Sequence, residues 1–309
     1  MPGRRISILV PVYFEEPNIP HTVPRLQALF ERMSGYEVEF VFVDDGSQDR
    51  SLELLLEYRQ KDPRIKVVKL SRNFGSMAAI QAGLRYVTGD CVGIIAADLQ
   101  DPPELFEEMA DLWEKGNKVV LAVRTDRQES FGRKFFSGIY YYLMDRLALR
   151  GYPRGGFDFL LIDKQIVAEL NEIREKNSNI MSLVFWLGHK RAVVPYVRQS
   201  RKHGVSRWTL AKKIKLFVDS FVSFSYAPIR IMSFIGILTA GLSFCYGLFV
   251  IFSLFLGSMP VRGYASIVCF ITFLLGLVMM MLGIIGEYVW RMLDETRNRP
   301  GQVVDDVYD

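Results

Sequence analysis

Hydrophobic and polar positions follow two alternating patterns over the N-terminal part of the chain. Five short apolar runs predict β-strands, at residues 6–12, 38–43, 65–70, 91–96 and 118–123. Between them, apolar residues recur at helical spacing, which predicts a helix after each of the first four strands. Strands that alternate with such helices are typical of a mostly parallel sheet with right-handed crossovers. This part of the chain is therefore predicted to be an α/β domain flanked by helices.

The last third of the chain has a different pattern. Residues 231–261 and 263–286 contain no charged side chain, and each run exceeds the roughly 20 residues that cross a bilayer. A buried core helix is the alternative for each run, but core helices are rarely so long and uniform. We therefore expect two transmembrane helices. Residues 208–224, just before them, place apolar residues on one face and lysines on the other, which is typical of a helix in the membrane interface.

Charged residues around these runs predict their orientation. Arginines are denser at the outer flanks, at Arg230, Arg291, Arg297 and Arg299, than between the runs, where Arg262 stands. By the positive-inside rule, both termini face the cytoplasm. Residues 1–200 are therefore predicted to be a cytoplasmic α/β domain, and residues 201–229 a basic loop with the interface helix. Residues 230–290 are predicted to contain the two transmembrane helices, and residues 291–309 a cytoplasmic tail.

Composition narrows the class of protein. The chain has 309 residues, of which half are hydrophobic, and its formal charge of +4 is too small to indicate a nucleic-acid partner. The three cysteines show no motif spacing, so neither a disulfide framework nor a zinc site is expected. The N-terminal apolar run is short and broken by Pro11, which favours a strand over a signal peptide.

Acidic residues follow three of the predicted strands: Glu15, then Asp44 and Asp45, then Asp98 and Asp101. Ligands of open α/β sheets bind outside the carboxyl ends of the strands. The oxygens of Asp98, Gln100 and Asp101 suit Mg²⁺ or Mn²⁺ on a phosphate, and a metal-bound nucleotide diphosphate would make the grouped charge tolerable. The alternative is a solvated turn with acids at a helix N-terminus. No GxGxxG follows the first strand, which argues against a dinucleotide site.

Four sequence blocks resemble the family 2 glycosyltransferases of GT-A fold. They are Pro-Val-Tyr with a following Glu-Glu at 11–16, Val-Asp-Asp-Gly-Ser at 43–47, Ser-Arg-Asn-Phe-Gly at 71–75 and Ala-Asp-Leu-Gln-Asp-Pro-Pro-Glu at 97–104. Within that family the chain is similar to the polyprenyl-phosphate glycosyltransferases, which include dolichol-phosphate mannose synthase and bacterial bactoprenol glucosyltransferases. The resemblance covers nearly the whole chain and implies that residues 1–200 are a GT-A catalytic domain.

The resemblance also implies roles for particular residues. The nucleotide sugar would be bound by Pro11, Tyr13, Glu15, Val43, Asp45, Ala97, Asp98 and Gln100. Of these, Asp98 and Gln100 would hold Mg²⁺ or Mn²⁺ and the diphosphate. The chain departs from the family where Asp-Ala-Asp is usual, because the first acid is replaced by Ala96. Metal ligation would then depend on Asp98, Gln100 and the donor phosphates. Position 14, commonly Asn in the family, is Phe here.

Arginines and one further acid complete the predicted site. The resemblance implies that phosphate groups are bound by Arg124, Arg133, Arg201 and Arg207, and a planar guanidinium suits phosphate oxygens. The alternatives are a solvated basic helix end and a basic linker attracted to anionic lipid. Asp158, between two phenylalanines, is the candidate catalytic acid near the acceptor. A lipid monophosphate is mostly dianionic at pH 7, with a second pKa of about 6, so Asp158 is expected to position groups and not to accept a proton.

The expected activity is inverting transfer of a hexose, from UDP-glucose to undecaprenyl phosphate, by a membrane-bound homo-oligomer at the cytoplasmic face of the cell membrane. These substrates and the oligomer are implied by the resemblance. One alternative is a processive polysaccharide synthase, although the Gln of its Gln-x-x-Arg-Trp motif is Gly204 here and only two spans are expected. Another is a non-catalytic membrane scaffold, which the missing acid at Ala96 favours.

Overall fold

The computed structural model of the chain describes residues 3–126, 138–173, 175, 179–199, 210–255 and 263–309. It divides into two compact units. The first comprises Met1–Ser220 together with Pro300–Asp309, and the second comprises Phe221–Arg299. The last ten residues therefore belong to the same unit as the N-terminal part of the chain, although a long helical segment separates them in sequence.

The first unit is built on an eight-stranded mixed sheet with the strand order β7-β5-β6-β4-β1-β2-β3-β8. The strands are β1 (Arg4–Val12), β2 (Tyr36–Asp44), β3 (Ile65–Leu70), β4 (Cys91–Ile94), β5 (Val119–Asp126), β6 (Phe159–Asp163), β7 (Arg191–Val197) and β8 (Val304–Tyr308). Strands β4, β1, β2 and β3 are mutually parallel, as are β5 and β7. The predicted mostly parallel α/β sheet is confirmed.

Helices cover the sheet. They are α1 (Ile19–Arg32), α2 (Ser51–Lys61), α3 (Ser76–Gly83), α4 (Leu105–Glu114), α5 (Lys164–Glu172) and α6 (Ile180–Trp186). Aromatic side chains fill the space between helices and sheet: Phe106 of α4 lies 4.7 Å from the ring of Phe159 and 5.8 Å from that of Phe30. Gly93 makes room for this cluster, because a Cβ there would lie 2.2 Å from the Phe106 ring.

Two antiparallel strands of the sheet were not predicted. Strand β6 lies between β4 and β5, so these two strands are not neighbours. Strand β8 pairs with β3 at the opposite edge, where Lys69 forms an ion pair with Asp305 at 2.5 Å and the Ser71 amide donates to the Val303 carbonyl at 3.0 Å. Residues 291–309, which include this strand, were predicted to be a cytoplasmic tail. In the structure they form an edge strand of the first unit.

The second unit consists mainly of two long helices. After α7 (Leu210–Phe224) come α8 (Ala227–Phe255) and α9 (Tyr264–Thr296), each of which contains a stretch long and apolar enough to cross a membrane. The two helices pack closely at Gly236, where a Cβ would lie 3.2 Å from the Met281 side chain. Over the described residues of these stretches at most 6% are buried. They are therefore not buried core helices, which was the alternative interpretation of the apolar runs.

Candidate active site

The acids that follow three predicted strands meet at one edge of the sheet. Strands β4, β1 and β2 are adjacent and parallel, so the residues after them lie side by side. Glu15 follows β1, Asp44 and Asp45 end or follow β2, and Asp98 follows β4. All four carboxylates come from segments whose backbones leave the sheet at its carboxyl edge, which is where open α/β sheets bind ligands.

Backbone hydrogen bonds join the segment after β1 to the segment after β2. The Phe14 amide donates to Ser47 Oγ at 3.1 Å, and the Glu15 amide donates to Ser51 Oγ at 2.9 Å. The Glu15 carboxylate accepts a hydrogen bond from the Asn18 side chain at 2.5 Å. Serines of the Val-Asp-Asp-Gly-Ser block and the following helix thus orient the backbone at Tyr13–Glu15, where the sequence predicts contacts with the nucleotide.

Asp45 organises the Ser-Arg-Asn-Phe-Gly segment. Its carboxylate accepts hydrogen bonds from the Asn73 side chain at 3.0 Å and from the amides of Phe74 and Gly75 at 2.7 and 2.9 Å. Gly46 has a φ of +72°, and a Cβ there would lie 2.6 Å from the Arg72 backbone. Only glycine allows this approach. Asp45 is nearly fully buried, and its predicted contact with the nucleotide sugar stays a prediction.

Asp44 is fully buried beside Asp45. Both of its carboxylate oxygens accept a hydrogen bond from the Ser47 amide at 3.3 Å. Burial raises the pKa of the Asp44 carboxyl, and the hydrogen bonds from Ser47 oppose this rise only in part. Asp44 therefore shapes the turn after β2 from inside the protein, whereas Glu15 is only half-buried.

The tip of β4 carries the predicted metal ligands. Thr22 of α1 donates a hydrogen bond to the Ala97 carbonyl at 2.6 Å, and the Gln100 amide donates to Asp98 Oδ1 at 3.2 Å. The Gln100 side-chain nitrogen donates to the Gln199 carbonyl at 3.1 Å, and the Gln199 amide donates to the Gln100 carbonyl at 2.9 Å. These contacts hold the turn at Asp98 between α1 and the residues that follow β7.

The metal-binding capacity of this tip is limited. In the part of the chain that the structure describes, no three His, Cys, Asp or Glu side chains lie close enough together to hold a metal ion. Position 96, where the related sequences usually have the first acid of the motif, is alanine in this chain. The amide oxygen of Gln100 is not used in its hydrogen bond to Gln199. One carboxylate and one amide oxygen fit a metal that is shared with substrate phosphates, as is common for Mg²⁺.

Asp101 has a different environment from Asp98. It is 1% exposed, its Oδ1 accepts a hydrogen bond from the Tyr196 hydroxyl, and Arg198 Nε lies 3.4 Å away. Burial raises the pKa of Asp101, while the charge of Arg198 and the hydrogen bond from Tyr196 oppose the rise. Asp101 was grouped with Asp98 and Gln100 among the oxygen ligands. The structure instead buries it against Tyr196 and Arg198.

Arg124 and Asp158 form an ion pair. Arg124 Nη2 donates to Asp158 Oδ2, and Arg124 Nε donates to the Tyr196 hydroxyl at 3.3 Å. Burial would lower the pKa of Arg124, but the Asp158 carboxylate and Tyr196 more than reverse this and raise it. A Cβ at Gly155 would lie 2.0 Å from the Arg124 carbonyl oxygen, so the glycine permits the close approach that brings Asp158 to the arginine. Phe157 and Phe159 are buried on either side, and Asp158 points outward.

The remaining predicted residues differ in accessibility. Pro11 and Tyr13 are half-buried, whereas the side chains of Val43 and Ala97 are buried. Any contact of the last two with a nucleotide would therefore involve mainly their backbone. Three predicted phosphate ligands, Arg133, Arg201 and Arg207, lie outside the described residues.

Tyr196 contacts both Asp101 and Arg124 but was not among the predicted site residues. The segment Arg191–Val197 is rich in β-branched and aromatic residues, and this pattern of residue types could have indicated a strand. Nothing in that pattern would have paired its tyrosine with residues at the tip of β4. That contact depends on the antiparallel insertion of β6, which sets the positions of β5 and β7 in the sheet.

The sequence is similar to those of known glycosyltransferases. A profile of the family described as Glycosyl transferase family 2 matches residues 7–170. The chain is 39% identical to the uncharacterized glycosyltransferase YkcC of Bacillus subtilis (strain 168), over 98% of this chain and 94% of that protein. It is 34% identical to the bactoprenol glucosyl transferase of Shigella phage SfX, over 97% of this chain and 98% of that protein.

The solved structures include a chain of similar fold. Mannosyl-3-phosphoglycerate synthase from Rubrobacter xylanophilus aligns with a TM-score of 0.50 over 70% of this chain and 71% of that chain, at 18% identity. At this identity the likeness concerns the fold alone. It agrees with the GT-A architecture that the sequence blocks imply.

Proposed function

Because the chain belongs to glycosyl transferase family 2, we propose that it transfers a hexose from a nucleotide sugar to a polyprenyl phosphate, with inversion at the anomeric carbon. The observation that carries this proposal is the likeness to bactoprenol glucosyl transferase over nearly the full length of both chains. The aligned region includes the two apolar helices, which would keep the enzyme at a lipid acceptor. We take UDP-glucose as the donor and undecaprenyl phosphate as the acceptor.

The proposed chemistry is a single displacement. An oxygen of the acceptor phosphate attacks the anomeric carbon, the bond from that carbon to the donor diphosphate breaks, and its electron pair leaves with the nucleoside diphosphate. With a second pKa of about 6, the acceptor phosphate is mostly dianionic at pH 7, so no residue has to remove a proton. The ion pair between Asp158 and Arg124 supports a positioning role for Asp158.

A divalent metal would assist the departure of the diphosphate. Asp98 and Gln100 would hold Mg²⁺ or Mn²⁺ together with donor phosphate oxygens, and the bound ion would stabilise the charge that gathers on the leaving group. The hydrogen bonds to Asp98 and Gln100 orient both residues before any ligand binds. Because the chain itself supplies few ligands, we expect the metal to bind tightly only with the nucleotide sugar.

The proposed location is the cytoplasmic face of a membrane, with α8 and α9 crossing it. Both outer ends of this helical pair continue into the first unit, since Pro300–Asp309 returns to it as β8. Two membrane crossings bring the chain back to the side on which it entered, which is consistent with the pairing of β8 in the sheet of the first unit. The arginines at the outer flanks favour the cytoplasm for this side.

The function can be tested with the purified full-length protein in detergent. Incubation with radiolabelled UDP-glucose, undecaprenyl phosphate and Mn²⁺ should yield label in the organic-extractable lipid, and EDTA should abolish it. Other nucleotide sugars are compared in parallel. Long polymer in place of a monosaccharide lipid would identify a processive synthase, and no labelled lipid from any donor would indicate a scaffold without transfer activity.

The same assay tests the metal-binding residue. Asp98→Ala should lower kcat by more than a hundredfold, because the only carboxylate proposed to hold the metal is removed. Glu107→Ala, at an exposed acid of α4, is the matched control and should behave as wild type. Near-normal turnover of Asp98→Ala would show that the metal assignment is wrong.

A further inference from the structure

A chain of hydrogen bonds crosses the candidate site from a buried acid to an exposed one. It runs from Asp101 through the Tyr196 hydroxyl to Arg124, and from Arg124 to Asp158. Its members belong to separate segments: the turn after β4, strands β7 and β5, and the residue before β6. These hydrogen bonds thus link the turn after β4, which carries Asp98, with the glycine-containing segment that carries Asp158.

The direction of each hydrogen bond is fixed by chemistry. A guanidinium only donates, so the Tyr196 hydroxyl oxygen must accept from Arg124 Nε, and its proton is then directed to Asp101. Arg124 uses a second nitrogen for Asp158. The guanidinium plane is therefore fixed by hydrogen bonds to Tyr196 and to Asp158, and its orientation determines the position of the Asp158 carboxylate.

The Tyr196 hydroxyl forms its hydrogen bonds in a buried environment. Tyr196 is 5% exposed and the Arg124 side chain is 9% exposed. Asp101 Oδ2 is buried and has no hydrogen-bond partner in the described part of the chain. Without the hydroxyl, both Asp101 and Arg124 Nε would lose a buried hydrogen bond, which is costly for groups that carry charge.

We propose, on the basis of the function proposed above, that Tyr196 is a positioning residue for sugar transfer. Its hydroxyl holds Arg124 in the orientation that fixes the Asp158 carboxylate at the edge of the site. Tyr196 acts through these two residues and does not touch the substrates. The Thr125 hydroxyl, which donates to the Tyr196 carbonyl at 3.1 Å, keeps the tyrosine backbone in register with Arg124.

Tyr196→Phe in the full-length protein tests this role. Loss of the hydroxyl should lower kcat by about tenfold to a hundredfold, the effect of one buried hydrogen bond to a charged group. The KM for UDP-glucose should change less than threefold, since the segments after β1 and β2 are untouched. Tyr36→Phe removes a hydroxyl at the opposite end of the sheet and should leave kcat unchanged.

A double-mutant cycle separates positioning from a general structural effect. If Tyr196 acts through Asp158, then adding Tyr196→Phe to Asp158→Asn should lower kcat by less than threefold. Equal losses in the two backgrounds would overturn the proposal, as would wild-type kcat in Tyr196→Phe. Arg124→Lys keeps the charge but cannot bridge Tyr196 and Asp158. If Tyr196→Phe does not fold, Arg124→Lys is compared in the same two backgrounds: it should lower kcat in the wild type but by less than threefold in Asp158→Asn, and equal losses would show that Arg124 does not act through Asp158.

The proposed function and this inference fail in different ways. If the wild-type protein transfers no sugar to any polyprenyl phosphate, then the proposed function is wrong and the inference falls with it. If the wild type is active and Tyr196→Phe is equally active, then only the inference is wrong.

Discussion

At the residue scale, backbone conformation explains one departure from the family pattern. Phe14 has a φ of +55°, in the left-handed region where asparagine is much better tolerated than a bulky side chain. The family commonly has asparagine at this position. The amide of Phe14 is held by Ser47, and its ring contacts that of Tyr13 at 4.7 Å. The chain therefore maintains an unfavourable backbone conformation next to a predicted nucleotide contact.

We predict that Phe14→Asn stabilises the protein by about 1 kcal/mol, because a non-glycine residue in a sparsely populated region costs about that much or more. Phe14→Ala is the matched control, since it removes the ring without making the left-handed conformation easier. Thermal unfolding in detergent should rank Phe14→Asn above Phe14→Ala. A melting temperature of Phe14→Asn below that of wild type would show that the aromatic contact with Tyr13 matters more than the backbone conformation.

At the scale of elements, Asp62 joins two helices and a strand. It ends α2, accepts hydrogen bonds from the Arg64 side chain at 2.7 and 2.9 Å, and accepts one from Gln27 of α1 at 2.6 Å. Its side chain is 9% exposed. Hydrogen bonds from Arg64 lower the pKa of Asp62 to about 2, even though burial opposes the shift. The folded state therefore favours the charged carboxylate.

This pKa shift predicts how stability depends on pH. The folded-state pKa lies below the ordinary aspartate value of 3.8, so the stabilisation by Asp62 is complete above about pH 4 and is lost as the pH falls toward 2. Asp62→Asn should lower the free energy of unfolding by about 2 kcal/mol at pH 7.

The difference in free energy of unfolding between Asp62→Asn and wild type should shrink as the pH falls from about 4 toward 2. Denaturant unfolding at several pH values measures it. Asp111→Asn, an exposed acid of α4, should leave the curve unchanged. A pH-independent difference for Asp62→Asn would contradict the assigned shift.

At the scale of the whole molecule, the order of elements along the chain differs from their grouping in space. Residues before and after the helical pair share one sheet, in which β8 pairs with β3. Strand β3 leads directly into the Ser-Arg-Asn-Phe-Gly segment that Asp45 organises. The C-terminal residues therefore belong to the structure of the first unit, although two apolar helices precede them.

This grouping predicts the membrane topology. Green fluorescent protein fused after Asp309 should fluoresce, because the end of β8 would lie on the cytoplasmic side with the rest of its sheet. Alkaline phosphatase fused after Arg262, with the chain ended there, should be active on the outer side. Phosphatase activity from a fusion after Asp309 would contradict the proposed pair of crossings.

The sequence alone determined the α/β pattern, the acids at the strand ends and the two apolar helices, because these depend on local periodicity and composition. Residues 65–70 were predicted as a strand, and β3 has these bounds. The departure at Ala96 was also visible in the sequence.

Only the tertiary structure decided which neighbours the site residues have. The antiparallel insertion of β6, the return of β8 and the contact of Tyr196 with Asp101 and Arg124 join residues far apart in the chain. Such pairings depend on which strands are adjacent and on what each buried charge contacts, and neither is encoded by local periodicity. The sequence could therefore place Asp98 and Asp101 in one motif, but it could not show that Asp101 is enclosed against Tyr196 and Arg198, whereas Asp98 accepts a hydrogen bond from the Gln100 amide.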